Sequence, residues 1–280
     1  MRIQSSNMSK SYLLLTIIFA VSVHAQIKKE WFPSGLNIQP FAANFLEPRA
    51  GFNYLVGEKN IRLDIGTSSD IYKIQYENTT LTFGADVFTY TRLRSENNFK
   101  FPVEAVDYLF GLNAGYKIVN ENKSCGFRFR FAHISAHLVD GSFDQNNYVW
   151  RDGGNPSVFS KEFFELFPFY RIEKFRVYVG LTYIFHVVPS QIGKGIYQFG
   201  FDNYFTSLTN VFTLFAGYDF KLQNTGSFTG ANILTAGIKF GSWDRKGFSI
   251  SFSYFTGKSI HGEYFDLNEN YASLGFNMDL

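Results

Sequence analysis

Two histidines and a serine fall at alternate positions in the stretch Phe131-Ala132-His133-Ile134-Ser135-Ala136-His137-Leu138-Val139-Asp140. A serine hydroxyl is a poor nucleophile until a neighbouring base takes its proton. Imidazole suits that task near neutrality, and a carboxylate on its other ring nitrogen holds the ring ready to accept. The spacing offers Ser135 as nucleophile, His133 as base and His137 as reserve base. An orienting acid must come from another segment. In 160–172, Phe163, Glu165, Phe167 and Phe169 share one set of alternate positions, and Glu165 is the acid among the rings. A Ser135-His133-Glu165 set would attack an acyl ester. The bland alternative is that His-x-Ser arises by chance at the polar end of a strand, with no chemistry attached.

The elements that would carry these residues are strands. In 104–118, Val106, Tyr108, Phe110, Leu112, Ala114, Tyr116 and Ile118 alternate with smaller or polar residues. Residues 209–222, 247–256 and the carboxyl-terminal stretch from Ser273 to Leu280 repeat the arrangement. This is a period of two, not 3.6. Several runs last about 10–15 residues, longer than the five or six usual in soluble sheets and close to the 9–11 of a tilted membrane strand. Long strands with one apolar, aromatic face and one polar, glycine-rich face predict a transmembrane antiparallel up-and-down β-barrel. The strands expected are 50–56, 61–67, 80–93, 103–119, 124–139, 160–172, 174–187, 195–201, 208–222, 229–241, 246–256 and 269–280. That is about twelve, with a range of 10 to 14 and residues 68–79 as the weak point of the count. Outside loops are expected at 94–102, 140–159, 188–194 and 257–268, with shorter inside turns at 120–123, 173 and 242–245.

Composition agrees with this reading. Of 280 residues, 34 are Phe, 17 Tyr and 3 Trp, or 19% aromatic, while 18% are charged; such a chain is not disordered. The formal charge of +2 is too small for a nucleic-acid binder, and the single cysteine supports neither a disulfide framework nor a cysteine-based metal site. Residues 1–25 read as a secretory signal: Arg2 and Lys10 precede the apolar run from Tyr12 to Val23, and Val23-His24-Ala25 offers a cleavage site. Its removal takes two bases and no acid, leaving a neutral mature chain. Residues 26–49, punctuated by Pro33, Pro40 and Pro48, are expected to form an irregular periplasmic strap ahead of a barrel over 50–280. On the lumen face fall Arg62, Asp64, Asp86, Asp107, Lys117, Arg128, Arg130, Arg176, Asp219 and Lys239, six bases and four acids expected to pair across a narrow interior. The rings Phe127, Phe129 and Phe131 share the alternation of His133, Ser135 and His137. They turn those residues outward, toward lipid near the outer membrane–water boundary. His186 is expected in the lumen and His261 in an outside loop.

The His-x-Ser pair on a lipid-facing strand resembles outer membrane phospholipase A and the lipid A 3-O-deacylase, which use such a pair on the barrel exterior with an Asn or Glu orienting the histidine. The resemblance implies His133 as base and Ser135 as nucleophile, with Glu165 matched by topology. Ala136 stands where those families commonly carry Asn. More broadly, Phe41-Ala42-Ala43-Asn44-Phe45-Leu46-Glu47-Pro48-Arg49, a barrel, and His133-x-Ser135-x-His137-Leu138-x-Asp140 together resemble an uncharacterised family of bacterial outer-membrane proteins. This resemblance implies barrel and location, the outer membrane of a Gram-negative-type bacterium, without an activity. The functional expectation is a surface acyl-ester hydrolase acting on phospholipid or lipid A, with outer-membrane lipids as partners. The alternative is a non-enzymatic structural or transport-associated barrel. No cofactor is expected. Asp140, Asp144 and Asp152 in the long outer loop could bind calcium, against the simpler reading of a solvated loop.

Overall fold

The computed structural model describes residues 27–151, 155–205 and 211–279. The secretory segment expected over 1–25 lies outside the described residues. The strands are β1 (Lys28–Trp31), β2 (Ala50–Val56), β3 (Asn60–Tyr76), β4 (Thr79–Arg94), β5 (Val103–Asn120), β6 (Lys123–Leu138), β7 (Phe143–Asp144), β8 (Val149–Trp150), β9 (Phe159–Ile172), β10 (Phe175–Val188), β11 (Ile192–Tyr204), β12 (Phe212–Thr225), β13 (Phe228–Phe240), β14 (Gly247–Lys258) and β15 (Asn268–Asp279). All but β1, β7 and β8 pair antiparallel with their neighbours in sequence. The pairing of β15 with β2 closes them into a twelve-stranded up-and-down barrel. Closure removes both sheet edges, as a sheet must where no water can satisfy an open one. The two-stranded β7–β8 ribbon lies within the outer loop between β6 and β9.

The expected strands and the observed ones coincide closely, and 68–79 is explained. Those residues form no loop: β3 is 17 residues long and turns into β4 at residues 77–78. Its far half has a partner because the chain uses the same edge twice. In β1, Lys28 to Trp31 pair with Gln75 to Tyr72, and in β2, Gly51 to Tyr54 pair with Asp64 to Ile61.

Between those two short strands the chain leaves the barrel wall. The expected periplasmic strap is thereby corrected: residues from about 36 to 49 fold into the lumen. Prolines and irregular backbone keep the segment out of the sheet, and its polar groups are met by side chains from the wall, as buried backbone requires. Asn37 N–H donates to Asp70 at 2.7 Å. Arg176 donates to the carbonyls of Gln39 and Pro40 at 2.7 Å each, and Arg62 to that of Phe45 at 2.8 Å. Lys117 donates to the Asn37 carbonyl. Glu47 receives both terminal nitrogens of Arg128 at 2.6 Å, with Arg130 at 3.8 Å. Phe41 is fully buried against Phe167 and Tyr178, ring centroids 5.0 and 4.1 Å away.

The rest of the lumen is a network of charges. Arg62 pairs with Asp64 at 2.6 Å, Arg130 with Asp86 at 2.7 Å, Arg176 with Asp202 at 2.5 Å and Lys239 with Asp279 at 2.5 Å. Asp219 accepts from Tyr178 and Gln198 at 2.6 and 2.5 Å. His261, in the outer loop after β14, folds back into the barrel mouth. Its Nδ1 meets Asp107 Oδ2 at 2.7 Å, while Gly262 N–H donates to Asp107 Oδ1 at 2.7 Å. The exterior is a coat of exposed apolar side chains, among them Phe110, Leu112, Phe127, Phe131, Phe164, Leu181, Tyr183, Tyr197, Ile250 and Phe252.

Candidate active site

Strand β6 presents Phe127, Phe129 and Phe131 to the exterior, and its alternation carries His133, Ser135 and His137 outward with them, while Arg128 and Arg130 point into the lumen. The three polar residues occupy the last turns of pleat before β6 ends at Leu138, at the rim that bears the long loop 139–158.

The carboxylate that meets His133 is that of Glu162, not Glu165. Glu165 lies on the lumen side, buried, with its Oε1 3.1 Å from Arg130 Nη1 and 3.7 Å from Arg128 Nη2. The expectation failed because it took rings to mark the lipid face. On β9 the rings line both faces: Phe163, Phe167 and Phe169 are buried around the lumen segment, whereas Phe164, Leu166 and Tyr170 are exposed. Glu162 belongs to the outer set and is the direct cross-strand partner of His133. Its Oε1 lies 2.7 Å from His133 Nδ1 and accepts from Ser160 Oγ at 3.1 Å.

His186 is the residue that sequence reasoning misplaced. Plain alternation along β10 sends it to the lumen, because Ile184 is fully buried there. A β-bulge between Ile184 and His186 intervenes: Ile184 pairs with Phe163 and His186 with Glu162, leaving Phe185 as the extra residue. Phe185 and His186 both face outward, and His186 Nδ1 lies 2.5 Å from Glu162 Oε2. No sequence signal marks the bulge except the unbroken run Tyr183-Ile184-Phe185-His186-Val187-Val188, in which the alternation is blurred.

The site is therefore a small lattice on the outer wall. One row across the strands reads His133, Glu162, His186; the next row toward the rim sets Ser135 beside Ser160. The side chains of His133, Glu162 and His186 are 41%, 25% and 61% exposed. An ionised carboxylate only accepts, so both imidazoles donate to it from Nδ1, and Nε2 is the nitrogen that a neutral ring leaves as acceptor. Ser135 lies two residues from His133 on the same face, about 6.7 Å along the strand, and among the described residues its hydroxyl has no hydrogen-bond partner. His137 stands one step nearer the rim with its ring 6.1 Å from Tyr108, and makes no hydrogen bond to the lattice. Below the polar rows lies a floor of rings: Phe164 is 5.3 Å from Phe131, 5.0 Å from Phe185 and 5.9 Å from Phe129.

The outer loop offers less. The Asp144 carboxylate is taken by the Asn146 and Asn147 backbone and the Asn147 side chain, with Arg151 at 3.6 Å. Asp152 lies outside the described residues. Among the described residues no group of three or more acidic, histidine or cysteine side chains is arranged to hold a metal.

A closed twelve-stranded antiparallel barrel with an apolar coat is the architecture of outer-membrane proteins. Two solved structures share it over most of this chain. The outer membrane phospholipase of Salmonella typhi, crystallised as a dimer with bound calcium, superposes with a TM-score of 0.54 at 11% identity, covering 87% of this chain and 94% of that one. Outer membrane phospholipase A from Escherichia coli gives 0.52 at 10% identity with the same coverage. At that identity the likeness is one of fold. No protein-family model matches the sequence, and no curated protein matches it.

Proposed function

We propose that this chain is an outer-membrane acyl-ester hydrolase, with Ser135 as nucleophile, His133 as general base and Glu162 as the acid that orients His133. The observation that carries the reading is the His133–Glu162 contact on the exterior of the barrel, at the rim and above a floor of phenylalanines, with Ser135 two residues along the same face. A glutamate flanked by two histidines has little reason to sit on a lipid-facing wall, where intramembrane ionisable groups are costly and mark function. The rings suit acyl chains, and polar rows at the rim above them suit the ester linkages of a phospholipid or of lipid A. The substrate then reacts without leaving the membrane.

In the reaction, Ser135 Oγ attacks the ester carbonyl carbon as His133 Nε2 takes the hydroxyl proton. Collapse of the tetrahedral adduct expels the alcohol, which receives that proton from His133, and leaves the acyl group on Ser135. Water then gives a proton to His133 and attacks the acyl-enzyme. The second adduct releases the fatty acid, and the proton returns to Ser135. The Glu162 carboxylate holds His133 Nδ1–H throughout and stabilises the imidazolium that forms twice. Contacts between nucleophile and base commonly tighten only when substrate is bound, in keeping with an open Ser135 in the ligand-free site.

The test uses purified full-length protein in mixed micelles of phospholipid, and separately of lipid A. Wild type releases fatty acid from one of them, and Ser135→Ala releases none while keeping the heat-modifiable gel mobility of a folded barrel. Equal release by both proteins, or none by wild type, overturns the proposal. The second of those results would leave the alternative of a structural or transport-associated barrel.

A further inference from the structure

We infer that His186 is a positioning residue of this site, swung onto the lipid-facing wall by the β10 bulge to fix the Glu162 carboxylate. The inference rests on the hydrolase reading for its catalytic consequence, but its structural part stands on its own geometry.

Glu162 has a long side chain, and one aimed out of a barrel wall has many rotamers open to it. Its Oε1 serves His133 and Ser160, but a carboxylate held by one oxygen can still rotate. His186 takes the other oxygen at 2.5 Å, from the strand on the far side, so Glu162 is pinned between β6 and β10. Such pinning fixes the direction of the Oε1 lone pair that His133 Nδ1–H meets, and with it the plane of the His133 ring and the aim of Nε2.

The local backbone is built for this placement. Bulges re-aim side chains and occur beside active sites. This one is the sole register shift between β9 and β10, and it falls at the residue that pairs with Glu162. It is held by its extra residue: Phe185 packs on Phe131 at 6.0 Å and on Phe164 at 5.0 Å, rings that flank His133 and Glu162. After the bulge, Val187 returns to pack against the inner apolar cluster. Without the extra residue in register, His186 would enter the lumen and Glu162 Oε2 would face lipid headgroups without a protein donor.

The chemistry of the contact supplies its own test, because the donor is Nδ1. An asparagine amide nitrogen overlays imidazole Nδ1, whereas a glutamine amide nitrogen overlays Nε2. The full-length protein is compared as wild type, His186→Ala, His186→Asn and His186→Gln, each checked for heat-modifiable mobility. Two readouts are taken: the ring nitrogen shifts of ¹⁵N-labelled His133 in micelles, and kcat and KM on a dispersed phospholipid. In wild type His133 holds a single Nδ1–H tautomer. His186→Ala gives a mixture of tautomers and lowers kcat about tenfold, a partial loss suited to a group acting through another, with KM within about twofold. His186→Asn restores the tautomer and kcat; His186→Gln does not. A His133 tautomer unchanged by His186→Ala, or equal rescue by Asn and Gln, overturns the inference. If wild type hydrolyses nothing, the hydrolase reading falls while the tautomer readout still decides whether His186 fixes Glu162.

Discussion

At the scale of single residues, two glutamates three positions apart on β9 do unrelated work. Glu162 looks outward and binds His133 and His186; Glu165 looks inward and is held by Arg130 and Arg128. Their substitutions therefore separate activity from stability. Glu162→Ala should lower kcat on the order of 10²-fold, the range of a disabled general base, with unfolding in micelles unchanged. Glu165→Ala should leave kcat near wild type in the folded fraction. It leaves two buried guanidinium groups short of charge, and should lower unfolding stability by about 3 kcal/mol. Steady-state lipid hydrolysis and denaturant unfolding of the two variants check both statements. A loss of kcat confined to Glu165→Ala would reverse the assignment.

At the scale of elements, the segment inside the lumen is tied to the wall through Glu47. Burial pushes its carboxyl up, but the charge and hydrogen bonds of Arg128, aided by Arg130 and Asn44, more than reverse this and hold it at about 2. A carboxyl depressed in the folded state stabilises that state fully above its unfolded value, near 4.5, and loses the contribution as pH falls from there toward 2. Glu47→Gln should cost about 3 kcal/mol at pH 7, where a buried pair is broken from one side. The gap between the variant and wild type should close between pH 4.5 and 2. Unfolding curves at a series of pH values measure this; a gap constant to pH 2 would show that the Glu47 charge is not what holds the segment.

At the scale of the whole molecule, a twelve-stranded barrel is wider than the eight-stranded ones that side chains alone fill, and here a segment of the chain occupies much of the interior. Twelve strands enclose the segment around Phe41 and Glu47, a network of paired charges and the His261 loop at the outer mouth. Porins that leave an aqueous channel have about sixteen strands. Reconstituted in a planar bilayer, the protein should show no porin-like steps of conductance; regular openings would contradict a packed lumen. In the proposed reading the chemistry belongs to the outer wall, the surface that faces lipid.

The sequence by itself determined the barrel, because a period of two sustained over long strands is a local property that the chain carries at every residue. It also determined that His133 and Ser135 point outward, since β6 alternates cleanly between arginines inside and phenylalanines outside. Tertiary structure alone decided what depends on a second segment. Rings on β9 line both faces because the segment at 36–49 fills the lumen, so the choice between Glu162 and Glu165 turned on residues more than a hundred positions away. A bulge shifts register by one residue and reverses every side chain beyond it. The placement of His186 on Glu162 was thus set by how β10 pairs with β9, a relation between strands that no single strand contains.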